Sequence, residues 1–176
     1  MAIIGNEIKR LDQVVQGFLK FMRPEDLRLQ PVDVDDAAAG RSRKSSSPMP
    51  RAPACACRYE CPASVPDVHG DPGSLRQALL NLSINACQAM THGGTLRLAA
   101  RAASRRRVEI VVEDTGSGIK PTEMPRIFDL YFTTKDGGSG IGLSMVCRTV
   151  QMHDGDIEVQ STVGTGDDVQ DSLPQT

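Results

Sequence analysis

The sequence contains few aromatic residues and no dominant charge. Of its 176 residues only 3% are aromatic and none is Trp, so stacking platforms for single-stranded nucleic acid are poorly supplied. Lys and Arg number 20 against 22 Asp and Glu, and the formal net charge of −2 argues against a dedicated nucleic-acid-binding protein. The 39% of hydrophobic residues is typical of a globular domain, and we expect no nucleic-acid partner.

Long apolar runs, an export signal and paired zinc ligands are also missing. No hydrophobic run approaches the about 20 residues that cross a bilayer, and no signal peptide precedes the first helical pattern. Five Cys without an export signal predict reduced thiols, a cytoplasmic location and no membrane contact in this chain, although a longer parent protein is compatible with membrane attachment. Cys55, Cys57 and Cys61 lack the C-x2-C spacing of structural zinc sites, and the distant His69 would have to be the fourth ligand.

The N-terminal segment has the period of a helix. Apolar residues recur at spacings of four and three from Ile4 to Met22, and Pro24 ends the pattern. This stripe suits either a helix docked on its own domain or one arm of a helical hairpin or dimer. Residues 35–53 are small, basic and rich in Ser and Pro, and they predict a flexible linker.

A helix with a polar strip is predicted after Asp71, which has helix-start chemistry. An apolar stripe extends from Leu75 to Ala89, and two glycines follow at 93–94. Asn81 and Asn85 share one face of this helix with Gln88. Because Asn beside an apolar stripe is costly without a polar partner, the strip indicates a site, and a solvated surface strip is the alternative.

Two glycine-rich segments follow the predicted strands 96–100 and 108–112. In the first, Asp114 ends a strand and glycines come directly after it, which suits a buried acceptor beside a backbone that approaches a ligand closely. The second, residues 136–142, leads into a helix pattern whose free N–H groups favour phosphate. A last strand at 157–161 precedes Gly164-Thr165-Gly166 and a polar tail.

In this order the segments resemble the ATP-binding catalytic domain of sensor histidine kinases, in the superfamily shared with gyrase-type and chaperone ATPases. The resemblance implies an α/β fold, a two-layer sandwich of a mixed β-sheet covered on one face by helices and preceded by an N-terminal α-helix. The matching motifs are the N box, the first glycine box, the F box with the start of the ATP lid, and the second glycine box, at Leu80–Ala86, Asp114–Gly118, Phe128–Lys135 and Gly138–Leu143.

The resemblance also implies ATP and Mg²⁺ as cofactors and assigns roles to individual residues. Asp114 would accept a hydrogen bond from the exocyclic amine of adenine. Asn85 would bind Mg²⁺ through its side-chain oxygen, with Asn81 close to the metal and phosphates. Lys135 would offer its charge to the phosphates. The remaining ATP-binding positions would approach the nucleotide or pack the lid: Gly116, Gly118, Ile119, Phe132, Gly138, Gly140, Ile141, Gly142 and Leu143.

Three segments are expected from the resemblance. Residues 1–34 resemble the second helix of a dimerisation and phosphoacceptor hairpin, residues 35–60 a linker with a degraded first strand, and residues 61–176 the ATP-binding kinase domain. The implied partners are a phosphoacceptor or dimerisation domain and a response regulator, and a homodimer through the N-terminal helix is one option.

Two departures from the family pattern stand beside the resemblance. The family's phosphoacceptor histidine lies on the first hairpin helix, whereas His69, His92 and His153 fall in or beside loops of the nucleotide domain, so no catalytic residue is assigned and His153 is expected to be structural. Residues 35–53 and 167–172 lack apolar alternation, which predicts lost edge strands and lower stability. A shifted reading frame is one hypothesis for both stretches.

The leading prediction is a histidine kinase domain that transfers the γ-phosphate of ATP to a histidine not present in this chain. Gyrase-type ATPases place a water-activating glutamate one turn before the metal-binding Asn, where this chain has Asn81. An anti-sigma-type serine kinase shares the fold, but the preceding dimerisation-like helix argues against it. The main alternative is a non-catalytic nucleotide-binding or interaction fragment.

Overall fold

The computed structural model describes residues 27–38, 55–62, 64–135 and 137–176, and the predicted N-terminal helix lies outside them. Within this part no helix has both the length and the apolar character that a bilayer crossing needs. The elements, in chain order, are β1 Gln30–Val32, α1 Val34–Ala38, β2 Cys55–Glu60, β3 Val68–Gly70, α2 Pro72–Ala89, β4 Gly94–Ala103, β5 Arg107–Asp114, a 3₁₀ turn Met124–Arg126, α3 Gly142–Met152, β6 Asp156–Thr162 and β7 Gly166–Pro174.

A mixed five-stranded sheet forms one layer and helices α2 and α3 form the other. The strand order is β2-β4-β5-β7-β6, and only the β2–β4 pair is parallel. The alternating apolar residues of β4 and β5 face the helices and bury Leu98 and Val108 against them. A small antiparallel pair, β1 with β3, lies outside the main sheet. The predicted α/β sandwich, covered by helices on one face, is confirmed.

Helix α2 starts as its sequence predicts. Asp71 is the N-cap, and its Oδ1 accepts a hydrogen bond from the Ser74 N–H at 2.8 Å. Pro72 occupies the first turn, where its missing N–H costs nothing. The helix ends at Met90, and Gly93 follows with a φ of 87°. The polar strip therefore lies on a helix whose ends are both fixed by local chemistry.

Strand β7 corrects the prediction of a polar tail after Gly166. Its residues pair with β5 on one side and with β6 on the other, so the segment is not a lost edge strand. Val169, Asp171 and Leu173 face the helices and are buried. Main-chain hydrogen bonds hold a strand between two partners whatever its side chains, which is why polar residues are accommodated here.

The predicted linker is wrong for residues 35–38, which form most of helix α1. Val34 and Ala37 join the hydrophobic core because β1 and α1 pack beside β3 and α2. Cys55–Glu60 is a regular strand that pairs in parallel with β4. Residues 39–54 are outside the described ranges, and the division of the chain at 34 and 60 stays a prediction.

Candidate nucleotide-binding site

Asp114 is the last residue of the inner strand β5 and is followed directly by the first glycine segment. Its Oδ1 accepts a hydrogen bond from the Gly116 N–H at 2.8 Å, so the following turn fixes the carboxylate. Burial, followed by the negative charge of Asp167, raises the pKa of Asp114 to about 6, although the Gly116 amide and the charge of Lys135 oppose this rise. The carboxylate is therefore a partly desolvated acceptor that titrates close to neutral pH.

The first glycine segment passes through spaces that admit no side chain. A Cβ on Gly116 would approach the Ala89 Cβ to 2.7 Å, and one on Gly118, where φ is +71°, would collide with the Thr162 carbonyl. Ile119 continues this segment, and its N–H donates to the Ser161 Oγ at 2.7 Å. The segment thereby holds the end of β5 against α2 and the end of β6.

Asn81 and Asn85 on α2 face the start of α3. The Asn81 Nδ2 donates weakly to the Gly142 carbonyl at 3.4 Å, and its Oδ1 accepts from the Gln77 Nε2 at 3.0 Å. A Cβ on Gly142 would lie 3.7 Å from the Asn85 Nδ2, an ordinary van der Waals distance, so Asn85 lies directly beside the start of α3. The first N–H groups of α3, from Gly142 and Leu143 onward, have no acceptor within the helix.

Residues 131–135 and 137–140 belong to one loop, which we call the lid. The Tyr131 N–H donates to the Gly140 carbonyl at 2.9 Å and closes the base of the lid. Gly140 has a φ of +66°, and a side chain there would collide with the backbone of Tyr131. Phe132 follows directly at this base, where the Arg126 guanidinium stacks over its ring at 4.5 Å.

Lys135 brings the lid onto helix α2. Its Nζ donates to the main-chain carbonyl of Asn85 at 3.2 Å and to the Gln88 Oε1 at 3.1 Å. Burial lowers the pKa of Lys135, whereas the carboxylates of Asp114 and Asp167 favour its charged form. The Lys135 ammonium thus contacts the amide strip on α2 and is also within the electrostatic influence of the Asp114 carboxylate.

Two of the predicted site residues, Asp114 and Ile119, line a cleft of about 970 Å³, whose other lining residues come mainly from strands β4 to β7 and the segment after Ile119. Asn81, Asn85 and Gly142 lie together between α2 and α3, outside that lining, and Lys135 contacts Asn85 from the lid. Gly138 lies apart from these groups, against Thr133 within the lid. Sequence reasoning missed Asp167 and Ser161, although the position of Asp167 directly after Gly164-Thr165-Gly166 was a signal.

The donor set suits magnesium better than zinc. Among the described residues no group of three His, Cys, Asp or Glu side chains could hold a metal ion. The amide oxygen of Asn85 is a hard ligand of the type that Mg²⁺ accepts, and Mg²⁺ takes its remaining ligands from phosphate and water. The residues present therefore fit a magnesium ion carried in with a nucleotide.

The sandwich, the amide strip and the half-buried carboxylate of Asp114 define a nucleotide-binding ATPase domain. Residues 70–176 match the family model described as "Histidine kinase-, DNA gyrase B-, and HSP90-like ATPase". The chain belongs to this family. Its described part has the fold of the ATP-binding catalytic domain of sensor histidine kinases, which confirms the resemblance found in the sequence.

Curated proteins with similar sequences include bacterial sensor kinases. The sensor histidine kinase ZraS of Salmonella typhimurium is 35% identical over 93% of this chain and 35% of its own length. The histidine-protein kinase AtoS of Escherichia coli is 31% identical over 94% of this chain and 27% of its own length. The chain thus spans about a third of the curated relatives that it matches.

Solved structures agree with the same assignment. Full-length ShkA in complex with AMPPNP matches 98% of this chain and 36% of its own chain, with a TM-score of 0.77 and 27% identity. The mycobacterial sensor histidine kinase MprB matches 84% of this chain and 97% of its own, with a TM-score of 0.69 and 26% identity. Both likenesses concern kinases, as the sequence motifs predict.

Proposed function

We propose that this chain binds ATP with Mg²⁺ and supplies the γ-phosphoryl group to a histidine of a separate phosphoacceptor domain. The observation that carries the proposal is the half-buried carboxylate of Asp114, which is fixed by the Gly116 N–H at 2.8 Å and is influenced by the charge of Lys135, which in turn contacts Asn85 of the amide strip. A nucleotide needs a hydrogen-bond acceptor for its base, which Asp114 supplies, and amide and cationic groups for its phosphates, which the strip and Lys135 supply. The bound AMPPNP of the similar kinase ShkA supports the same reading.

Different residues bind different parts of the nucleotide. Asp114 accepts a hydrogen bond from the exocyclic amine of adenine, because an ionised carboxylate is an acceptor only. Asn85 holds Mg²⁺ through its side-chain oxygen, and the metal neutralises charge on the phosphates when it is bound. The first N–H groups of α3 hold the phosphate tail. Phosphoryl transfer needs mostly such positioning and charge neutralisation.

Lys135 changes partners in this proposal. In the structure its ammonium is bonded to the Asn85 carbonyl and to Gln88. A triphosphate beside Asn85 offers a stronger, charged acceptor for the same ammonium. Phosphate binding therefore draws Lys135 away from α2 and orders the lid over the nucleotide.

Hydrolysis of the gyrase type is disfavoured by the position of Asn81. Its amide already accepts from Gln77 and donates to the Gly142 carbonyl, and an amide has no basic group with which to activate water. His153 does not offer an acceptor either, because both of its ring nitrogens are hydrogen-bonded in the core. We propose that the phosphoacceptor domain supplies the histidine, that a response regulator receives the phosphoryl group, and that the chain works in the cytoplasm.

Titration with AMPPNP, with and without Mg²⁺, tests the nucleotide half of the proposal. Asp114→Ala should weaken binding about tenfold to a hundredfold, the scale of one hydrogen bond to a charged group. Asp156→Ala is the matched control, because this exposed aspartate lies at the start of β6 and pairs with Arg107. Equal affinity of wild type and a folded Asp114→Ala variant would overturn the role of Asp114.

Transfer is tested by adding the phosphoacceptor domain of a related sensor kinase together with radiolabelled ATP. The proposal expects an acid-labile, alkali-stable label on that domain, as phosphohistidine gives. The label should depend on Asn85, so Asn85→Ala must abolish the label in a folded protein. If the wild-type chain binds AMPPNP but transfers no label to an acceptor domain, the chain is a non-catalytic nucleotide-binding module.

A further inference from the structure

A second carboxylate, that of Asp167, lies beside Asp114 where strand β7 begins. The two strands approach so closely here that a Cβ on Gly166 would overlap the Asp114 carbonyl oxygen. The Asp167 N–H donates a hydrogen bond to the Asp114 carboxylate. Both aspartates line the cleft of about 970 Å³, so the end of the site that receives the base carries two acidic groups.

The side chain of Asp167 is held in place by a short relay. The Ile119 N–H donates to the Ser161 Oγ at 2.7 Å, and the Ser161 hydroxyl in turn donates to the Asp167 Oδ1. A hydroxyl that accepts from a main-chain amide is oriented to donate onward. The relay therefore fixes the Asp167 carboxylate next to Asp114 and ties it to a residue of the first glycine segment.

We propose that Asp167 is a positioning residue of the nucleobase site. It acts through Asp114 and sets the lowest pH at which the chain binds nucleotide. The inference rests on the proposed function, in which an ionised Asp114 accepts from the adenine amine. Two neighbouring carboxylates in a partly desolvated cleft resist ionising together. The charge of Asp167 thus decides how far the pH can fall before Asp114 takes up a proton and its charge-assisted hydrogen bond is lost.

The charged groups around Asp114 support this division of roles. From β7, the charge of Asp167 raises the pKa of Asp114; from the lid, the ammonium of Lys135 lowers it. Burial, the largest cause, raises it as well. Since the burial and the main-chain hydrogen bonds do not depend on the Asp167 side chain, replacing that side chain changes the charge alone.

The test is a series of AMPPNP titrations between pH 5 and pH 8 on wild type, Asp167→Asn and Asp168→Asn. Asparagine keeps an acceptor for the Ser161 hydroxyl and removes only the charge. Asp168→Asn removes the same charge one residue along, at a position paired with Glu113 on the opposite face of β7. The three proteins should bind alike at pH 8, and Asp167→Asn alone should bind about twofold more tightly than wild type at pH 5.5 and up to about threefold more tightly at lower pH, the effect of lowering the Asp114 pKa from about 6 by about half a unit.

Carboxyl NMR of the chain without nucleotide separates this inference from the proposed function. The Asp114 titration should move to lower pH in Asp167→Asn and stay in place in Asp168→Asn. Binding curves that fall at the same pH in wild type and Asp167→Asn, with an unmoved Asp114 titration, would overturn the inference even if AMPPNP binds. Absence of AMPPNP binding by wild type would instead remove the proposed function, and the NMR shift would still show whether Asp167 controls Asp114.

Discussion

The His153 Nε2 accepts a hydrogen bond from the Asp71 N–H at 2.8 Å, across 82 residues of sequence. Because Nε2 accepts, the proton is on Nδ1, which donates to the Thr149 carbonyl at 2.6 Å. The neutral ring thus joins the end of α3 to the start of α2, the helix that carries Asn81 and Asn85. The structural role expected for His153 is supported by both contacts.

Replacing His153 by Ala should lower the free energy of unfolding by about 2–4 kcal/mol. The buried ring leaves a cavity, and both the Asp71 amide and the Thr149 carbonyl lose their partner. Urea denaturation measures the change. His92→Ala is the control, since this exposed ring contacts only the Thr91 hydroxyl among the described residues and should alter stability by less than about 0.5 kcal/mol. Equal effects of the two substitutions would contradict the bridging role.

Asp171 should make the fold less stable as the pH rises. This carboxyl is 3% exposed, its Oδ1 has no hydrogen-bond partner among the described residues, and burial raises its pKa to about 7. The neighbouring titratable group is the Cys147 thiol on α3, whose pKa is also raised. Because the folded-state pKa lies above the unfolded one, the stabilising contribution is complete below about pH 4 and is lost as the pH passes through 7.

Asp171→Asn and Asp171→Val test this dependence by denaturation at pH 5 and pH 8. Asparagine should remove the part of the pH dependence that Asp171 causes, on the order of 2–3 kcal/mol between pH 5 and pH 8. Valine should make the protein more stable than wild type at pH 8, because an unpaired buried charge is exchanged for an apolar side chain. An unchanged pH slope in Asp171→Asn would show that the carboxyl is not desolvated in the folded chain.

Lys135→Met should weaken AMPPNP binding about tenfold, because the phosphates lose a cation. Adenosine, which carries no phosphate, should bind Lys135→Met at least as well as wild type, since the variant also lacks the lid contacts to Asn85 and Gln88. Calorimetric titration with both ligands separates the two effects. A parallel loss for adenosine would place Lys135 at the base and not at the phosphates.

Gly140→Ala should weaken the lid more than Gly137→Ala. Both glycines have a positive φ, +66° and +76°, so the backbone strain of an alanine is similar at the two positions. Only at 140 does the new Cβ collide with the Tyr131 backbone, whereas at 137 nothing lies within 4 Å. We expect faster proteolysis of the lid and weaker AMPPNP binding in Gly140→Ala alone. Indistinguishable variants would show that the lid base is not closed in solution.

Local patterns in the sequence account for much of the site. The position of Asn81 and Asn85 on one face follows from the helical period, and Asp114 follows from an alternating strand that ends in glycines. Strand β7 did not follow, because Asp167, Asp168 and Asp171 interrupt the apolar alternation that marks a strand. Hydrogen bonds to β5 and β6, which no local pattern records, form it nevertheless.

The sequence by itself determined the ATPase family, the sandwich and the residues of the four motifs, because each depends on side chains close together in the chain. Only the tertiary structure decided that Asp167 lies against Asp114, that Lys135 contacts α2 and that the Asp171 Oδ1 is buried with no hydrogen-bond partner among the described residues. These relationships join strands and loops distant in sequence. They depend on which strand pairs with which, and that choice is made when the whole sheet packs against its helices.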